Sequence, residues 1–339
     1  MIKKQRAGDG APAQNNKQNK DILRMKKVDF KAKAAAIQKK YEERGRMLAE
    51  PPTAAVPVVE DPITETPPAP AVNEHGEKVG QQLPLWPEDC AAMPTEITRV
   101  SLFRLVRRGR RKLMEDVPLE SRSDVKVLYT GKDLDQADAD LWLACLRIGR
   151  GVPMGQRIYT ARNDLLREVG RNLSGANWAW LEQSLERMRK ASLKATMRRT
   201  HTDEKGNKKQ VEIIITTGLL KWGMEKPSGR MYIRLDPDGA ALFDNLAYVP
   251  WETRLALPSA GAKSIHAYVC GHAKGKPHVV LLDDLRRWTG YDGRLRQFRE
   301  DVCKPALAEL EARGEIVAGS GKIEKTGKGL VVSWVRSPG

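Results

Sequence analysis

One eight-residue segment occurs twice. Asn163-Asp164-Leu165-Leu166-Arg167-Glu168-Val169-Gly170 is echoed 120 residues later by Asp283-Asp284-Leu285-Arg286-Arg287-Trp288-Thr289-Gly290. Like segments at a wide fixed spacing are the mark of a duplicated structural unit. Each reads as a short helix, opened by Asn or Asp, whose side chains can cap free N–H groups, and closed by Gly, which tolerates positive φ.

The surroundings repeat as well. A longer helix follows each segment, with Trp178, Leu181, Leu185 and Met188 at helical spacing in the first copy and Leu295, Phe298 and Val302 in the second. Leu307 and Leu310 lie beyond Pro305, which should kink that helix or begin a new one. A helix precedes each pair, Leu134 to Ile148 (Leu141, Ala144, Cys145 and Ile148 inward) and roughly Ser259 to His272. A strand pair should follow each: 194–202 with 209–217, and 315–318 with 329–335. The β-branched run Val211-Glu212-Ile213-Ile214-Ile215 is the strongest strand signal in the chain. Helix, helix-turn-helix, then hairpin is the order of a winged-helix domain. The expected fold class is therefore α+β, with tandem winged-helix domains at 98–250 and 251–339 preceded by a largely disordered N-terminal arm at 1–97. A generic small α+β domain, or a helix-turn-helix serving as an interaction module, is the plainer alternative.

Charge separates the arm from the body. The net charge is +16, from 59 Lys and Arg against 43 Asp and Glu. Residues 1–97 hold 15 of those bases and 14 of the acids, which leaves 44 against 29, or +15, in residues 98–339. The basic excess belongs to the folded part, and a polyanion, foremost nucleic acid, is the partner it asks for. Within the arm, residues 1–24 are polar and read as disordered. Residues 27–49 favour a weakly amphipathic helix, and residues 51–94 carry 10 of the 20 prolines and read as an extended linker. Four unpaired cysteines suit a reducing compartment. With no apolar leader and no stretch of membrane-spanning length, the chain is expected in the cytoplasm, off the membrane.

On DNA, the second helix of such a pair enters the major groove with its N-terminal half. In the second copy Arg294, Arg296, Gln297 and Arg299 fall on the exposed side; Arg can pair bidentately with guanine and Gln with adenine. In the first copy Arg171, Asn172, Ser174 and Asn177 stand near the helix start and suit phosphates or a few base edges. Backbone contacts suit Arg187, Arg189 and Lys190. The wings offer Arg198, Arg199, Lys205, Lys208 and Lys209, and Lys322, Lys325 and Lys328. The run Arg104, Arg107, Arg108, Arg110, Arg111 and Lys112 is either a further phosphate track or a solvated strand end.

Gln82-Leu83-Pro84-Leu85-Trp86 places two Leu and a Trp in the Pro-rich stretch. Apolar residues in an unfolded segment mark a docking peptide, unless they staple the segment onto the folded part. The pentapeptide resembles the Q-L-x-L-F motif by which bacterial proteins bind the β sliding clamp, with Pro at the variable position and Trp for Phe. Gln82 would make the polar contact, and Leu83, Leu85 and Trp86 would fill the pocket.

Together with Met93-Pro94, Ser101-Leu102-Phe103, Tyr129-Thr130-Gly131, the region of Asp164–Gly170, Trp251-Glu252 and the stretch Arg294 to Glu300, these features resemble the TrfA family of plasmid replication initiators over roughly residues 80–339. The resemblance implies two winged-helix domains on direct repeats (iterons) of double-stranded plasmid origin DNA. It also implies opening of an adjacent A+T-rich region with DnaA, recruitment of the DnaB helicase, contact with the sliding clamp, and a homodimer in exchange with monomer. Residues 1–79 lie outside it; Met25 and Met93 are internal methionines suited to alternative starts. Around Asn172–Trp180 the match is poor, which bears on the DNA sequence read, not on the fold.

Enzymatic signatures fail. No H-x-H motif is paired with a nucleophilic Tyr, and neither Gly319-Ser320-Gly321-Lys322 nor Gly327-Lys328 completes a phosphate loop. His266, Cys270, His272 and His278 are dense, yet their spacing matches no common zinc pattern; no metal and no cofactor are expected. The expected function is a non-enzymatic origin-binding initiator. The alternatives are a winged-helix repressor, which has no use for a clamp peptide, and a nuclease or relaxase, which would cut DNA with a metal.

Overall fold

The duplicated segments are helices of identical extent in their own frames. The computed structural model describes residues 72–106, 111–202, 208–225, 228 and 230–338. In chain order it contains β1 (Cys90–Pro94), β2 (Phe103–Arg104), β3 (Leu113–Pro118), β4 (Val125–Lys132), β5 (Leu134–Asp135), α1 (Gln136–Ile148) and β6 (Ile158–Thr160). There follow α2 (Arg162–Glu168), α3 (Gly175–Arg189), β7 (Ser192–Thr202), β8 (Lys208–Gly218), β9 (Leu220–Met224), β10 (Met231–Leu235) and β11 (Leu246–Pro250). The remainder is α4 (Trp251–Ala256), α5 (Ala260–Cys270), β12 (Pro277–Leu281), α6 (Leu282–Trp288), α7 (Leu295–Gln297), a π-helical stretch (Phe298–Cys303), α8 (Lys304–Ala312), β13 (Lys322–Thr326) and β14 (Gly329–Val335).

The repeat holds down to single hydrogen bonds. α2 and α6 begin and end 120 residues apart, and so do the residues that open the next helices, Ser174 and Arg294. Gly170 and Gly290 sit at φ 69° and 66°. In both copies the glycine N–H bonds back to an arginine carbonyl (Arg167, Arg287), and the next N–H reaches one residue further (Leu166, Arg286). This is a Schellman closure, which a residue without Cβ strain in the left-handed region permits. The expected caps differ. α2 and α6 open at Ala161 and Leu281, with no side-chain cap. The acids fall inside the first turn, where the helix dipole favours negative charge, and pair forward, Asp164 with Arg167 and Asp283 with Arg286.

Leu181, Leu185 and Met188 are buried as their spacing predicts, but Trp178 is exposed. Its indole N–H reaches Asn163 Oδ1 at 3.1 Å instead. The second long helix neither breaks nor simply kinks at Pro305. It runs through the π-helical stretch immediately before it. Proline supplies no N–H for the α-type bond back to Asp301, and a widened turn absorbs that loss.

Two sheets share one connectivity. β6, just before α2, pairs with β10, which pairs with β9; β12, just before α6, pairs with β14, which pairs with β13. The hairpin that returns to each helix pair is thus β9–β10 in the first copy, not the expected pairing of 194–202 with 209–217. Those two segments do form β7 and β8, in register from Ser192↔Gly218 to Thr202↔Lys208, but in a separate four-stranded sheet, β3-β4-β7-β8. The Ile-rich run locates a strand; β propensity carries no information about which helix pair the strand serves. In the second copy the hairpin's first strand is β13, not 315–318. Ile316 makes only a bridge to Arg336, and the turn shrinks to Gly327-Lys328.

Two apolar cores follow. The first gathers residues from Leu83 to Cys270, the second from Leu257 to Trp334. All described residues lie in one compact unit, Pro68–Gly339. The expected arm boundary at residue 97 is therefore too late. Leu83, Trp86, Ala91, Ala92 and Met93 are core residues, and β1 is an antiparallel partner of β11. The prolines suggested a linker because they remove donors, but this strap is held through its carbonyls. Arg150 donates to Trp86 O at 2.6 Å, and Arg147 to Glu88 O and Cys90 O, both at 2.6 Å. The predicted helix at 27–49 and the stretch 1–71 as a whole lie outside the described residues. Between the cores, fully buried Arg254 on α4 donates to Asp140 at 2.7 Å and to Gln136 at 3.1 Å, both on α1, while Lys263 of α5 reaches the other oxygen of Asp140 at 2.5 Å.

Candidate nucleic-acid interface

At the start of the second long helix, burial selects the faces. Phe298 is fully buried and Leu295 packs against the same core, which turns Arg294, Arg296 and Gln297 outward, all exposed. Gln297 Oε1 accepts from the Arg294 N–H at 3.4 Å, and no ion pair engages either arginine among the described residues. Two uncompensated guanidiniums beside a helix N-terminus form a local positive field with donors free for a base edge or phosphate. Arg299 differs from its expectation. It is half-buried and donates to Glu300 at 2.6 Å, so its charge is answered within the helix. Lys322 and Lys325 are exposed on β13, and Lys328 is exposed at the turn.

The first copy uses its equivalent residues internally. Asn177, the counterpart of Gln297, accepts from Arg171 at 3.1 Å and donates to Asn172 O at 3.0 Å. Ser174 Oγ caps the Asn177 N–H at 3.3 Å. The Arg171 guanidinium lies 3.7 Å from the Trp180 ring centre, a cation–π contact. Arg187, expected on the DNA backbone, donates instead to Asp138 at 2.7 Å. Asp138 has no exposed surface; Ser184 Oγ also bonds it, and Arg111 donates to its other oxygen at 2.8 Å. Burial alone would raise the Asp138 pKa, but the Arg187 and Arg111 guanidiniums outweigh it and hold the carboxyl below its ordinary range. A buried carboxylate needs such partners to remain charged, and they are drawn from residues that sequence alone assigns to DNA. Arg104 follows the same rule, bonded to Asp133 at 3.1 Å.

On the four-stranded sheet, Arg199 is clamped by Glu96 at 2.9 Å and by Asp244, which removes it as a phosphate contact. Arg198 remains largely exposed, 3.5 Å from Glu212, and Lys208 and Lys209 are exposed. Arg107, Arg108, Arg110 and Lys205 lie outside the described residues. The hairpin that belongs to the first helix pair presents Lys221 and Arg230, exposed, with Arg230 stacked 4.5 Å over Tyr159. Sequence reading missed both, because the stronger strand signal of residues 211–215 claimed the wing.

The pentapeptide is a staple. Leu83 and Trp86 are each 2% exposed in the first core, while Gln82, Pro84 and Leu85 are exposed, Leu85 at 63%. Gln82 forms a bridge with Pro153. Upstream, Glu77 is held by Arg157 at 3.1 Å and Arg234 at 3.1 Å. Burial would raise its pKa, yet these arginines bring it down to about 2.

The expected histidine cluster divides. His272 and His278 stack at 3.8 Å, bonded to Tyr268 O and Oη, and burial first of all pushes them down to about 3 and about 4. They are neutral structural rings. His266 faces Cys270 and Glu315 instead. Among the described residues no helix is long and apolar enough to cross a membrane.

The chain is similar in structure to domains 2 and 3 of RctB, with TM-scores of 0.45 and 0.40 at 15% and 12% identity, over 73% and 70% of this chain and 99% and 95% of those chains. No curated protein matches it. The family described as TrfA protein matches residues 80–321, which take in both helix pairs and everything between them. The chain belongs to the TrfA family of plasmid replication initiators.

Proposed function

We propose that the chain is a non-enzymatic initiator that binds direct repeats in double-stranded plasmid origin DNA through two winged-helix domains. The observation that carries this is the exposed set Arg294, Arg296 and Gln297 at the opening of the second long helix, its two guanidiniums in no ion pair among the described residues. In a winged-helix frame that end faces base edges, and Lys322 and Lys325 on the adjoining hairpin follow the phosphates. The first copy contributes chiefly shape and backbone contacts, from the hairpin residues Lys221 and Arg230. With DnaA the bound initiator promotes opening of neighbouring A+T-rich DNA and passes the site to the DnaB helicase and the sliding clamp. Clamp contact through Gln82, Leu83, Leu85 and Trp86 requires the strap to leave the body, since its two largest anchors are buried.

Fluorescence anisotropy tests the reading, with a duplex carrying the origin's direct repeats against a shuffled duplex of equal composition. The repeats should bind on the order of 10³-fold tighter, with log affinity falling steeply against log salt. Equal affinity for both duplexes would overturn sequence-specific binding. Incubation with Mg²⁺ or Mn²⁺ should leave the DNA uncut. A synthetic peptide of residues 80–88 should bind the clamp more tightly than the whole chain does.

A further inference from the structure

α5 is buried along nearly its whole length, because one side packs on the first core and the other on the second. Two of its residues, His266 and Cys270, lie four apart and so share a face. His266 has no exposed surface and Cys270 is 3% exposed. The third member comes from a distant point in the chain. Two residues past the end of α8 the chain turns at Gly314, at φ 70°, and the next residue, Glu315, brings its carboxylate inward until Oε2 stands 3.3 Å from His266 Nε2. One donor atom from each of the three side chains lies within 4.8 Å of the others.

The imidazole is the unusual element. Neither Nδ1 nor Nε2 of His266 has a hydrogen-bond partner among the described residues; the approach of Glu315 is close but not directed as a hydrogen bond. Nδ1 is thus buried without a hydrogen bond, and Nε2 meets the Glu315 carboxylate at 3.3 Å; a buried polar group left unpaired is destabilising. Neighbouring acids draw the ring toward its charged form. Burial alone would lower its pKa, but the Cys270 thiol and the Glu315 carboxylate outweigh that and bring it up to about 9.

We propose that His266, Cys270 and Glu315 bind a divalent ion of the zinc class. The donor set is one thiolate sulfur, one imidazole nitrogen and one carboxylate oxygen, the mixed hard and soft set that suits zinc rather than calcium or magnesium. Zinc bonds of about 2.0–2.3 Å at tetrahedral angles place ligand atoms about 3.3–3.7 Å apart. The three donor atoms, within 4.8 Å of one another, would close by about 1 Å to reach that spacing. The site's role is mechanical. α5 touches the first unit through Lys263 and Asp140. Glu315 ties into the end of the second hairpin, its carbonyl accepting from the Ser337 N–H at 3.0 Å. An ion there fixes the far end of the long helix that begins at Arg294 relative to the first core.

The test uses the full chain purified without chelators. Elemental analysis after zinc loading and desalting should find about one ion per chain, and cobalt substitution should give the near-ultraviolet thiolate-to-cobalt band of a cysteine ligand. Cys270→Ser should abolish that band. Glu315→Gln, nearly isosteric, should weaken zinc by more than about tenfold while far-ultraviolet circular dichroism stays unchanged. His272→Ala should leave zinc content as it was. A chain that retains no zinc after loading, or a cobalt band that survives Cys270→Ser, overturns the site and leaves only a His266–Glu315 ion pair. None of these readouts involves DNA, so they stand or fall apart from the origin-binding proposal.

Discussion

In the first helix pair Arg187 is spent on Asp138 and Arg171 lies over Trp180; in the second, Arg294 and Arg296 meet no acid among the described residues. The frames are otherwise the same, with caps, glycines and returning strands at matching positions. The difference begins behind the helices. The first copy packs against acids at the start of α1, the half-buried cap Asp135 and the buried Asp138 and Asp140, which draw in nearby cations to compensate charges removed from water. The second copy has an apolar floor of Phe298, Leu285 and Trp334 and leaves its cations to the outside. One frame thus turns its cations inward, and the other keeps two of them exposed for the proposed contact with DNA.

The largest effect should come from breaking the first arrangement. Asp138→Ala leaves Arg187 without its carboxylate and Arg111 with only Asp135. Loss of one partner from a buried ionic network costs about 3–5 kcal/mol. Urea unfolding should show this as a lower midpoint with an unchanged slope, while the preference for origin repeats over shuffled DNA persists in the folded protein. A stability change under 1 kcal/mol would mean that Asp138 is not the organising charge.

The complementary substitution should invert the pattern. Arg294→Ala or Arg296→Ala should cost about 1–3 kcal/mol in binding to the repeats and relax specificity at one base position. Stability should move by no more than about 0.5 kcal/mol, as for other exposed sites. An equal loss on every DNA sequence would reassign that arginine to phosphate.

The frame was readable from the sequence because it rests on local chemistry. Glycine at positive φ, apolar residues at helical spacing and a fixed interval each leave a mark, and Gly170, Gly290, Leu181 and Leu185 stand where those marks put them. Partnership leaves none. Nothing local to Arg187 reveals Asp138, 49 residues away, and nothing local to Arg199 reveals Glu96, 103 residues away. The strap misled for the same reason. Prolines 84, 87 and 94 look like a linker until arginines from the body arrive to bind its carbonyls. Of the candidate DNA residues, those whose surroundings are local, Arg294, Arg296 and Gln297, kept their expected exposure.

The strap extends the contrast, because it consumes two more cations of the first copy. Glu77 holds Arg157, just before β6, and Arg234, on β10. Its folded pKa, about 2, lies below the ordinary 4.5. A depressed carboxyl stabilises above its unfolded pKa and loses that contribution as pH falls. The strap should therefore be tight at pH 6 and loosen progressively between about 4.5 and about 2. Hydrogen exchange of residues 77–90, compared with β12–β14, should rise across that window. Glu77→Gln should show the looser behaviour already at neutral pH, and a flat profile in the native chain would remove Glu77 from this role.

The smallest effect tests whether the second copy's hairpin touches DNA at all. Lys325 is exposed on β13 with no acidic partner among the described residues. If it follows a phosphate, it releases one condensed counterion on binding. Lys325→Ala should then weaken binding uniformly across sequences and reduce the slope of log affinity against log salt by about 1. Lys208→Ala, on the edge strand β8 of the separate sheet, supplies the contrast. If that sheet stands away from the DNA, its substitution leaves the slope unchanged. If both lysines shift the slope equally, the first copy also presents a basic face to the duplex through β7–β8, and the division between a structural copy and a reading copy fails at its edge.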